Sequence, residues 1–410
     1  MKYGLIGEHL GHSFSRVIHA ELSDYDYELC EVARDKLDDF LLWREFSGIN
    51  VTIPYKERVI PYLHFIDEDA RAIGAVNTVV NRDGKLYGYN TDFFGMRMLF
   101  EHAKISVSGK KAAILGSGGT SKTALGVLKS LGAREIIRVS RGAGGDTVTY
   151  RELTENHRDI EILVNTTPLG MFPNIYDAPV DISDFDNLSG VIDVIYNPQR
   201  TPLINAARMR GIPSAGGLYM LVGQAVRASE IFLGTSYPDR TLDSVYEKIR
   251  RDKENIVLIG MPASGKSTVG GILKKALGRR LVDTDELIVS RCGMEIPEIF
   301  KRFGEEEFRR IESEVIREIA KESSLVIATG GGAVLKNENV SALRQNGRLF
   351  FIDRPLEMLV PTASRPLSSD RAAIEKRYSE RYGIYSSVCD VRIDADCSAS
   401  EVAKKITEAF

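Results

Sequence analysis

The chain has 410 residues, of which 43% are hydrophobic and 27% are charged, and it is therefore long enough for two or three domains. Its formal net charge of −3 gives no overall positive field for nucleic acid or an anionic membrane, so we exclude both as partners. The four cysteines have no C-x-x-C spacing, and no apolar run approaches membrane-spanning length. These features predict a cytoplasmic protein that acts on small molecules.

The first hundred residues alternate short apolar strands with helices. Strands are predicted at 3–7 and 25–32, and a third at 48–53 ends in a proline-stiffened turn that projects Lys56. A helix is predicted over 35–46, with its apolar residues in the core; these are Leu37, Phe40, Leu41 and Trp43. Gly84 marks a hairpin. Taken alone, Lys56, Asn77 and Asp92 fit ordinary roles as a loop lysine, a turn former and a helix-start acid.

A glycine-rich turn follows the next buried strand. The strand at 110–115 runs into Gly116-Ser117-Gly118-Gly119-Thr120, which opens a helix and is a variant of the dinucleotide-binding fingerprint. The second strand ends in Ser140-Arg141, where an NAD enzyme would place an acid, so a 2′-phosphate and NADP are favoured over NAD. Further strands at 160–164 and 190–194 continue the alternation. This order predicts a parallel, doubly wound α/β sheet of the Rossmann type.

Residues 1–250 contain a series of short motifs: S-x-S at 13–15, N-V-T-I-P-Y-K at 50–56, G-A-V-N-T at 74–78, G-Y-N-T-D at 88–92, G-S-G-G-T at 116–120, N-T-T-P-L-G-M at 165–171 and G-L-Y-M-L-V-G-Q-A at 217–225. In these motifs and their order, this part of the chain resembles shikimate dehydrogenase. The resemblance implies a substrate domain over 1–100, completed by about 215–250, and an NADP-binding domain over 101–214.

The same resemblance assigns roles to single residues. Lys56 and Asp92 become the catalytic pair. The implied substrate ligands carry hydroxyl or amide groups and are Ser13, Ser15, Thr52, Asn77, Tyr196 and Gln224. The implied cofactor-binding residues are Gly116, Ser117, Gly118, Gly119, Thr120, Ser140, Arg141, Val194 and Gly217.

A helix predicted over 241–251 is separated by about four polar residues from a strand at Ile256. That strand enters G-x-x-x-x-G-K-S at 260–267, and a helix follows, so this turn is predicted to be a nucleoside-triphosphate phosphate loop. Glycine lets the backbone wrap phosphate oxygens, Lys266 reaches the β- and γ-phosphates, and the Ser267 hydroxyl can ligate Mg²⁺. The predicted ATP-binding residues are Ala263, Ser264, Gly265, Lys266, Ser267 and Thr268.

Further motifs follow the phosphate loop: D-x-D at 283–285, F-R-x-x-E at 308–312, T-G-G-G at 329–332, R-P-L at 365–367 and R-x-x-x-Y at 381–385. With these motifs, residues 256–410 resemble shikimate kinase. We read Asp283 and Asp285 as alternating across a strand end. The resemblance implies a P-loop kinase domain over 255–410. It assigns Mg²⁺ to Ser267 and Asp283, substrate contacts to Asp285, Arg309, Gly331 and Arg381, and catalysis to Lys266, Asp285 and a lid residue, Arg365.

Together the two resemblances predict a bifunctional enzyme of the shikimate pathway that uses NADP(H), ATP and Mg²⁺. It would reduce 3-dehydroshikimate to shikimate and then phosphorylate shikimate to shikimate 3-phosphate. Two alternatives stay open at this point: a quinate/shikimate dehydrogenase that uses NAD, or a chain in which one half is a non-catalytic regulatory module. The sequence does not give the oligomeric state, and a homodimer is one option.

Overall fold

The structure is a computed structural model that describes residues 2–10, 13–142, 144–360 and 371–410. The chain divides into two compact units, Met1–Arg250 and Arg251–Phe410. Within the described ranges, no helix combines the length and the apolar character that crossing a membrane requires.

The first sheet of the N-terminal unit is mixed, with the strand order β2-β1-β3-β5-β6-β4. Strand β1 pairs in parallel with β2 and β3, whereas β5 runs antiparallel to both β3 and β6. The elements are β1 (Tyr3–Gly7), α1 (Ser15–Leu22), β2 (Tyr27–Glu31), α2 (Leu37–Trp43), β3 (Gly48–Val51), a 3₁₀ turn (Ile60–Tyr62), β4 (Phe65–Ile66), α3 (Glu68–Ile73), β5 (Thr78–Arg82), β6 (Lys85–Tyr89) and α4 (Thr91–His102).

The predicted placement of Trp43 in the core is wrong. Leu37 and Leu41 are fully buried, whereas Trp43 is 71% exposed. Leu37 and Leu41 are four residues apart and share one helix face, but Trp43 follows Leu41 by two positions and therefore points to the opposite side. Arg44 then takes a left-handed conformation with φ 56° and ends the helix.

The second sheet of this unit is parallel, with the strand order β12-β11-β10-β7-β8-β9. The chain passes from β7 outward to β8 and β9 and then returns to the other side of β7, so the order reverses between β7 and β10. In open α/β sheets, ligands bind at the carboxyl ends of the strands beside such a reversal. The elements are β7 (Lys111–Leu115), α5 (Gly119–Ser130), β8 (Glu135–Ser140), β9 (Thr147–Thr149), α6 (Tyr150–Asn156), β10 (Ile162–Asn165), a 3₁₀ turn (Ile182–Asp184), β11 (Gly190–Asp193), α7 (Pro202–Met209), β12 (Ser214–Gly216), α8 (Leu218–Leu233) and α9 (Thr241–Lys253).

The C-terminal unit has one parallel sheet with the order β14-β15-β13-β16-β17. The elements are β13 (Asn255–Ile259), α10 (Lys266–Leu277), β14 (Arg280–Asp283), α11 (Thr284–Cys292), α12 (Ile296–Ile319), β15 (Leu325–Ala328), a 3₁₀ turn (Ala333–Leu335), α13 (Asn337–Asn346), β16 (Gly347–Asp353), a 3₁₀ turn (Leu356–Met358), α14 (Arg371–Val388), β17 (Val391–Asp394) and α15 (Ala399–Ala409). Helix α12 is broken at Gly304, whose φ of 83° is left-handed.

The connection between α9 and β13 is shorter than predicted. Helix α9 runs to Lys253 and β13 begins at Asn255, so only Glu254 lies between them instead of about four residues. Asn255 explains the early start of the strand, because its side chain donates to the Glu322 carbonyl and accepts from the Leu325 amide, each at 2.8 Å. These bonds hold the first residue of β13 beside the loop that leads into β15.

A buried carboxylate joins the loops at the carboxyl edge of the second sheet. Asp193, at the end of β11, accepts hydrogen bonds from the Asn165 side chain and the Ile195 amide, each at 3.1 Å, and from the Thr201 hydroxyl at 2.7 Å. Burial raises the pKa of Asp193 from 3.8 to about 6, although all three donors oppose the rise. The side chain therefore stabilises two loops while it resists ionisation.

We predict that Asp193 makes the N-terminal unit less stable as the pH rises. Its pKa is higher in the folded chain than in the unfolded chain, so the folded state binds the proton more tightly and loses this advantage between about pH 4 and about pH 6. Asp193→Asn should remove this part of the pH dependence, measured by denaturant unfolding across that window. Asp186→Asn, at an exposed carboxylate paired with Arg158, is the control and should keep it. An equal slope in Asp193→Asn would contradict the assignment.

Candidate active sites

An ion pair lies where the first sheet meets α4. Lys56 Nζ lies 2.6 Å from Asp92 Oδ2, and the two side chains are only 17% and 5% exposed. Asp92 is in the first turn of α4, which Asn90 caps by accepting from the Phe93 amide at 3.2 Å. The Lys56 backbone is held by the Val76 amide, which donates to its carbonyl at 2.8 Å. The structure thus brings together the two residues that the sequence pairs as catalytic.

Asn77 lies beside this pair in a network of buried polar groups. Its Oδ1 accepts from the Thr91 amide at 2.7 Å and from the Thr91 hydroxyl at 3.2 Å. Asn50 donates to the Thr78 hydroxyl at 3.0 Å, and Tyr27 donates to Asn50 at 2.7 Å. The carbonyl end of the Asn77 amide is therefore occupied, and its NH₂ group is left as the donor for a ligand. Sequence reasoning missed Asn50 and Thr91 as supporting residues, although both lie inside the quoted motifs.

The S-x-S segment meets the second sheet through aromatic packing. Ser13 Oγ donates to Ser15 Oγ at 3.1 Å, and the Ser15 amide donates back to Ser13 Oγ at 3.2 Å. The intervening Phe14 packs on Tyr196, with ring centroids 5.1 Å apart, and burial raises the pKa of Tyr196. Three of the predicted substrate ligands are thereby brought together by contacts around one side chain.

The other two predicted substrate ligands, Thr52 and Gln224, lie on different elements of the N-terminal unit. Thr52 follows β3, and its amide donates to the Ile6 carbonyl at 3.0 Å. Gln224 lies on α8 where that helix packs closely on α4. A Cβ on Gly95 of α4 would lie 3.0 Å from the backbone nitrogen of Gln224. The described hydrogen bonds do not join either side chain to Lys56, Asp92 or the serines.

The glycine-rich turn lies at the strand reversal of the second sheet. Gly116 follows β7 with φ 109°, and a Cβ there would come within 2.8 Å of Thr166 Oγ1, which follows β10. Gly118 and Gly119, at the start of α5, have open space where a Cβ would be. Ser117 is exposed, and Thr120 is partly buried. The turn therefore leaves room for a ligand above the amino terminus of α5, as an anion site requires.

Four more predicted cofactor residues lie at or just after strand ends along this edge. Ser140 ends β8 and donates to the Gly142 carbonyl at 2.5 Å, and the exposed Arg141 follows it. Val194 follows β11 and packs directly on Gly217, where a Cβ would collide with the Val194 carbonyl oxygen. The structure brings Val194 and Gly217 together, whereas Ser140 and Arg141 lie across the sheet at the end of β8.

In the C-terminal unit, the phosphate loop follows the central strand β13. Gly260, Ala263 and Gly265 all have positive φ, at 145°, 65° and 93°. Successive amides in such a turn converge on one point and form an anion-binding concavity. Lys266 is 5% exposed and donates to the carbonyls of Gly260 at 2.9 Å and Met261 at 2.8 Å. Helix α10 begins at Lys266.

The remaining loop residues and two acids complete this edge of the sheet. Ser264 is buried, and Ser267 and Thr268 lie in the first turn of α10. Ser267 Oγ donates to Asp283 Oδ2 at 2.6 Å, so the two predicted Mg²⁺ ligands are in contact. Asp283 also caps α11 by accepting from the Asp285 amide at 2.9 Å. The interpretation of both acids as strand residues is wrong, because Asp285 lies in the first turn of α11.

The glycine loop after β15 gathers the other candidate residues. A Cβ on Gly330 would lie 2.6 Å from Asp285 Oδ1 and 2.9 Å from Glu312 Oε1, and one on Gly332 would collide with the Arg309 guanidinium. The Gly331 carbonyl accepts from Arg381 at 3.3 Å and also from the Tyr385 hydroxyl. The loop therefore has no room for side chains. It contains Gly331, and the side chains of Asp285, Arg309 and Arg381 surround it.

Sequence reasoning gave no role to Glu312, which the structure places at the centre of this cluster. Glu312 is 1% exposed, burial raises its pKa, and it accepts from Arg309 at 2.7 Å. Its other oxygen is buried with no hydrogen-bond partner among the described residues. The F-R-x-x-E spacing contained the signal, because residues three apart share a helix face. Arg365, the predicted lid residue, lies outside the described residues.

Comparisons with known proteins match both units. The family model "Shikimate dehydrogenase substrate binding domain" matches residues 5–79, and the model "Shikimate kinase" matches residues 262–410. A shikimate dehydrogenase (NADP(+)) from Clostridium beijerinckii is 39% identical over 261 residues, which cover 60% of this chain and 96% of that protein.

Solved structures agree over the N-terminal unit. A shikimate dehydrogenase from Peptoclostridium difficile has a TM-score of 0.56 and 38% identity, covering 61% of this chain and 98% of that one. A shikimate 5-dehydrogenase from Thermus thermophilus, solved with NADP(H) and shikimate, has a TM-score of 0.55 and 25% identity, covering 60% of this chain and 99% of that one. The chain therefore belongs to the shikimate dehydrogenase family and carries a shikimate kinase domain fused after it.

Proposed function

We propose that the chain catalyses two consecutive steps: NADPH-dependent reduction of 3-dehydroshikimate to shikimate, and ATP-dependent phosphorylation of shikimate to shikimate 3-phosphate. The observation that carries the proposal is that both units keep a charged site at the carboxyl edge of a sheet. The Lys56–Asp92 pair and the Ser267–Asp283 contact each have a distance of 2.6 Å. A non-catalytic module would not require either arrangement.

In the reductase unit, Lys56 is suited to act at the substrate oxygen. When bound, the nicotinamide cofactor supplies the hydride that reduces the ketone. Negative charge then builds on the oxygen, and the Lys56 ammonium can stabilise that charge and donate the proton. Asp92 holds the ammonium in place and can accept a hydrogen bond from the new hydroxyl group. Because both side chains are largely buried, few waters compete for these bonds.

Hydroxyl and amide groups around the pair would bind the polyhydroxylated acid. The fixed Asn77 carbonyl leaves the Asn77 amide nitrogen to donate, and the paired serines offer two hydroxyls at one position. The proposed substrate ligands are Ser13, Ser15, Thr52, Asn77, Tyr196 and Gln224.

The second sheet suits NADP in two respects. The Gly116–Thr120 turn leaves open space at Gly118 and Gly119, into which a pyrophosphate could fit above the α5 amino terminus. Arg141 is exposed, and none of the described ion pairs involves it, so its guanidinium is available to a 2′-phosphate. Ser140, Val194 and Gly217 would complete the cofactor contacts.

In the kinase unit, the proposed residues position phosphate and acceptor. Lys266 and the amides of 263–268 would hold ATP phosphates, and Ser267 with Asp283 offers the oxygen ligands that Mg²⁺ prefers. Asp285 could accept the proton of the attacking hydroxyl. Arg309 and Arg381 would bind the substrate carboxylate beside the Gly331 backbone. The role of Arg365 stays a prediction from the resemblance.

A coupled assay tests the proposal directly. The full chain is incubated with 3-dehydroshikimate, NADPH and Mg·ATP, and products are identified by mass spectrometry. Shikimate 3-phosphate should form from the complete mixture, shikimate should accumulate without ATP, and neither should form without NADPH. A chain that stops at shikimate in the complete mixture, and leaves added shikimate unphosphorylated, would contradict the kinase half.

We predict opposite losses from two lysine substitutions. Lys56→Ala removes the proton donor and should lower reduction by about 10²-fold or more while shikimate phosphorylation continues. Lys266→Ala removes the phosphate contact and should do the reverse. Each variant is the folding control for the other, with NADPH oxidation and ADP release measured separately. Loss of both activities from either substitution would contradict independent sites.

We also predict that Arg141 sets the preference for NADPH. Arg141→Ala should raise the KM for NADPH by about 10-fold and change the KM for NADH little, because only NADPH carries the 2′-phosphate. Arg151→Ala, at an exposed arginine paired with Glu155, is the matched control. Equal effects on both nucleotides would place Arg141 outside the 2′-phosphate site. Rates of quinate oxidation with NAD⁺ and with NADP⁺ test the NAD-dependent alternative.

A further inference from the structure

Arg354 lies beside the phosphate loop of the kinase unit, and it has no role in the proposed phosphoryl transfer. It follows β16 directly, and β16 pairs in parallel with β13 so that Ile259 and Phe351 are partners. Both strands therefore end at the same edge, where β13 continues into the phosphate loop. A Cβ on Gly260 would lie 2.8 Å from the Ile352 carbonyl, so the loop rests directly on the end of β16.

The guanidinium of Arg354 reaches across the loop to the start of α10. Its Nη1 lies 3.8 Å from the position that a Cβ on Gly265 would occupy, and apart from the residues adjacent to Gly265 it is the nearest described heavy atom to that point. Gly265 is the residue before α10 and has a φ of 93°. Its backbone forms part of the concavity in which amides converge. A cation and a ring of amide donors thus border the same small space.

Arg354 has no hydrogen-bond or ion-pair partner among the described residues that would explain this position. Its Nε is buried and makes no hydrogen bond with any described residue. The neighbouring Asp353 is engaged elsewhere, by Arg392 at 2.7 Å and by the Tyr382 hydroxyl at 3.0 Å. Lys266, the other nearby cation, is turned toward the loop carbonyls. The Nε atoms of Arg44, Arg138 and Arg344 are also buried without a described partner, but each of those guanidiniums is bound through another nitrogen. Arg354 makes no such bond with a described residue, and an unpaired buried donor is costly, so it calls for an acceptor that enters with a ligand.

We infer that Arg354 binds the β-phosphate of the nucleotide in the kinase unit, as a residue additional to the phosphate loop. A guanidinium presents a planar fork of donors that matches two phosphate oxygens, and its charge complements the loop amides. Arg354 lies over Gly265, at the α10 end of the loop. This position favours the β-phosphate, because the backbone amides of a phosphate loop cradle the α- and β-phosphates. The inference rests on the proposed kinase function.

Nucleotide binding to the full chain tests the inference. The affinities of Mg·ADP and AMP are measured by calorimetry for the wild type, Arg354→Gln and Arg354→Lys. Arg354→Gln should weaken Mg·ADP binding about 10-fold and leave AMP binding unchanged, because AMP lacks the β-phosphate. Arg354→Lys keeps the charge without the fork and should recover part of the loss. The KM for shikimate should not change.

The control is Arg280→Gln, which removes an exposed arginine from the opposite, amino end of β14 and should leave ADP affinity unchanged. Unchanged Mg·ADP affinity in both Arg354 variants would overturn the inference, and an equal loss for AMP and ADP would overturn the β-phosphate assignment. The reductase rate of each variant monitors the integrity of the other unit. A wild-type chain that binds no Mg·ADP would instead refute the proposed kinase function.

Discussion

The parallel pairing of strands is the constraint on which most of the proposed chemistry depends. In the second sheet of the N-terminal unit and in the sheet of the C-terminal unit, neighbouring strands end at the same edge. Residues that are far apart in the chain therefore meet at that edge. Gly116 meets Thr166 at the ends of β7 and β10, and Gly260 meets Ile352 at the ends of β13 and β16. The sheet scaffold supplies the positions, and the residues after each strand supply the chemistry.

Close backbone approach is the second requirement, and it explains several glycines. Gly217 allows contact with Val194, and the Gly330–Gly332 loop allows Asp285, Glu312 and Arg309 to converge on one backbone segment. A side chain at these positions would need to displace a carboxylate, a guanidinium, a carbonyl or the Pro262 ring. These glycines are therefore required by packing. Gly116 and Gly260 are required both by packing and by positive φ, and Gly265 is required by positive φ alone.

Some buried charged side chains have hydrogen-bond or ion-pair partners within the chain, whereas others keep a buried polar atom that has no described partner. Asp92 is paired with Lys56, and Asp193 accepts three hydrogen bonds, so both are accounted for by their neighbours. Glu312 and Arg354 each keep a buried polar atom without a described partner, and both lie in the kinase unit beside the glycine loops. Groups left in this state are costly for stability and are expected where a ligand completes their hydrogen bonds.

The sequence by itself determined the kinds of element, the two nucleotide turns and most candidate residues, because strand and helix periods, glycine turns and motif spacing are local properties. It misjudged Trp43 and the start of β13, since these depend on which helix face is covered and on hydrogen bonds to distant segments. It also misjudged Asp285, because the Asp283 side chain caps α11 and places Asp285 in the first turn of that helix. Only the tertiary structure revealed that Lys56 and Asp92 touch, that Glu312 is buried against Gly330 and that Arg354 reaches Gly265. Such contacts arise when separate strands end at a shared edge, and no spacing within one segment encodes them.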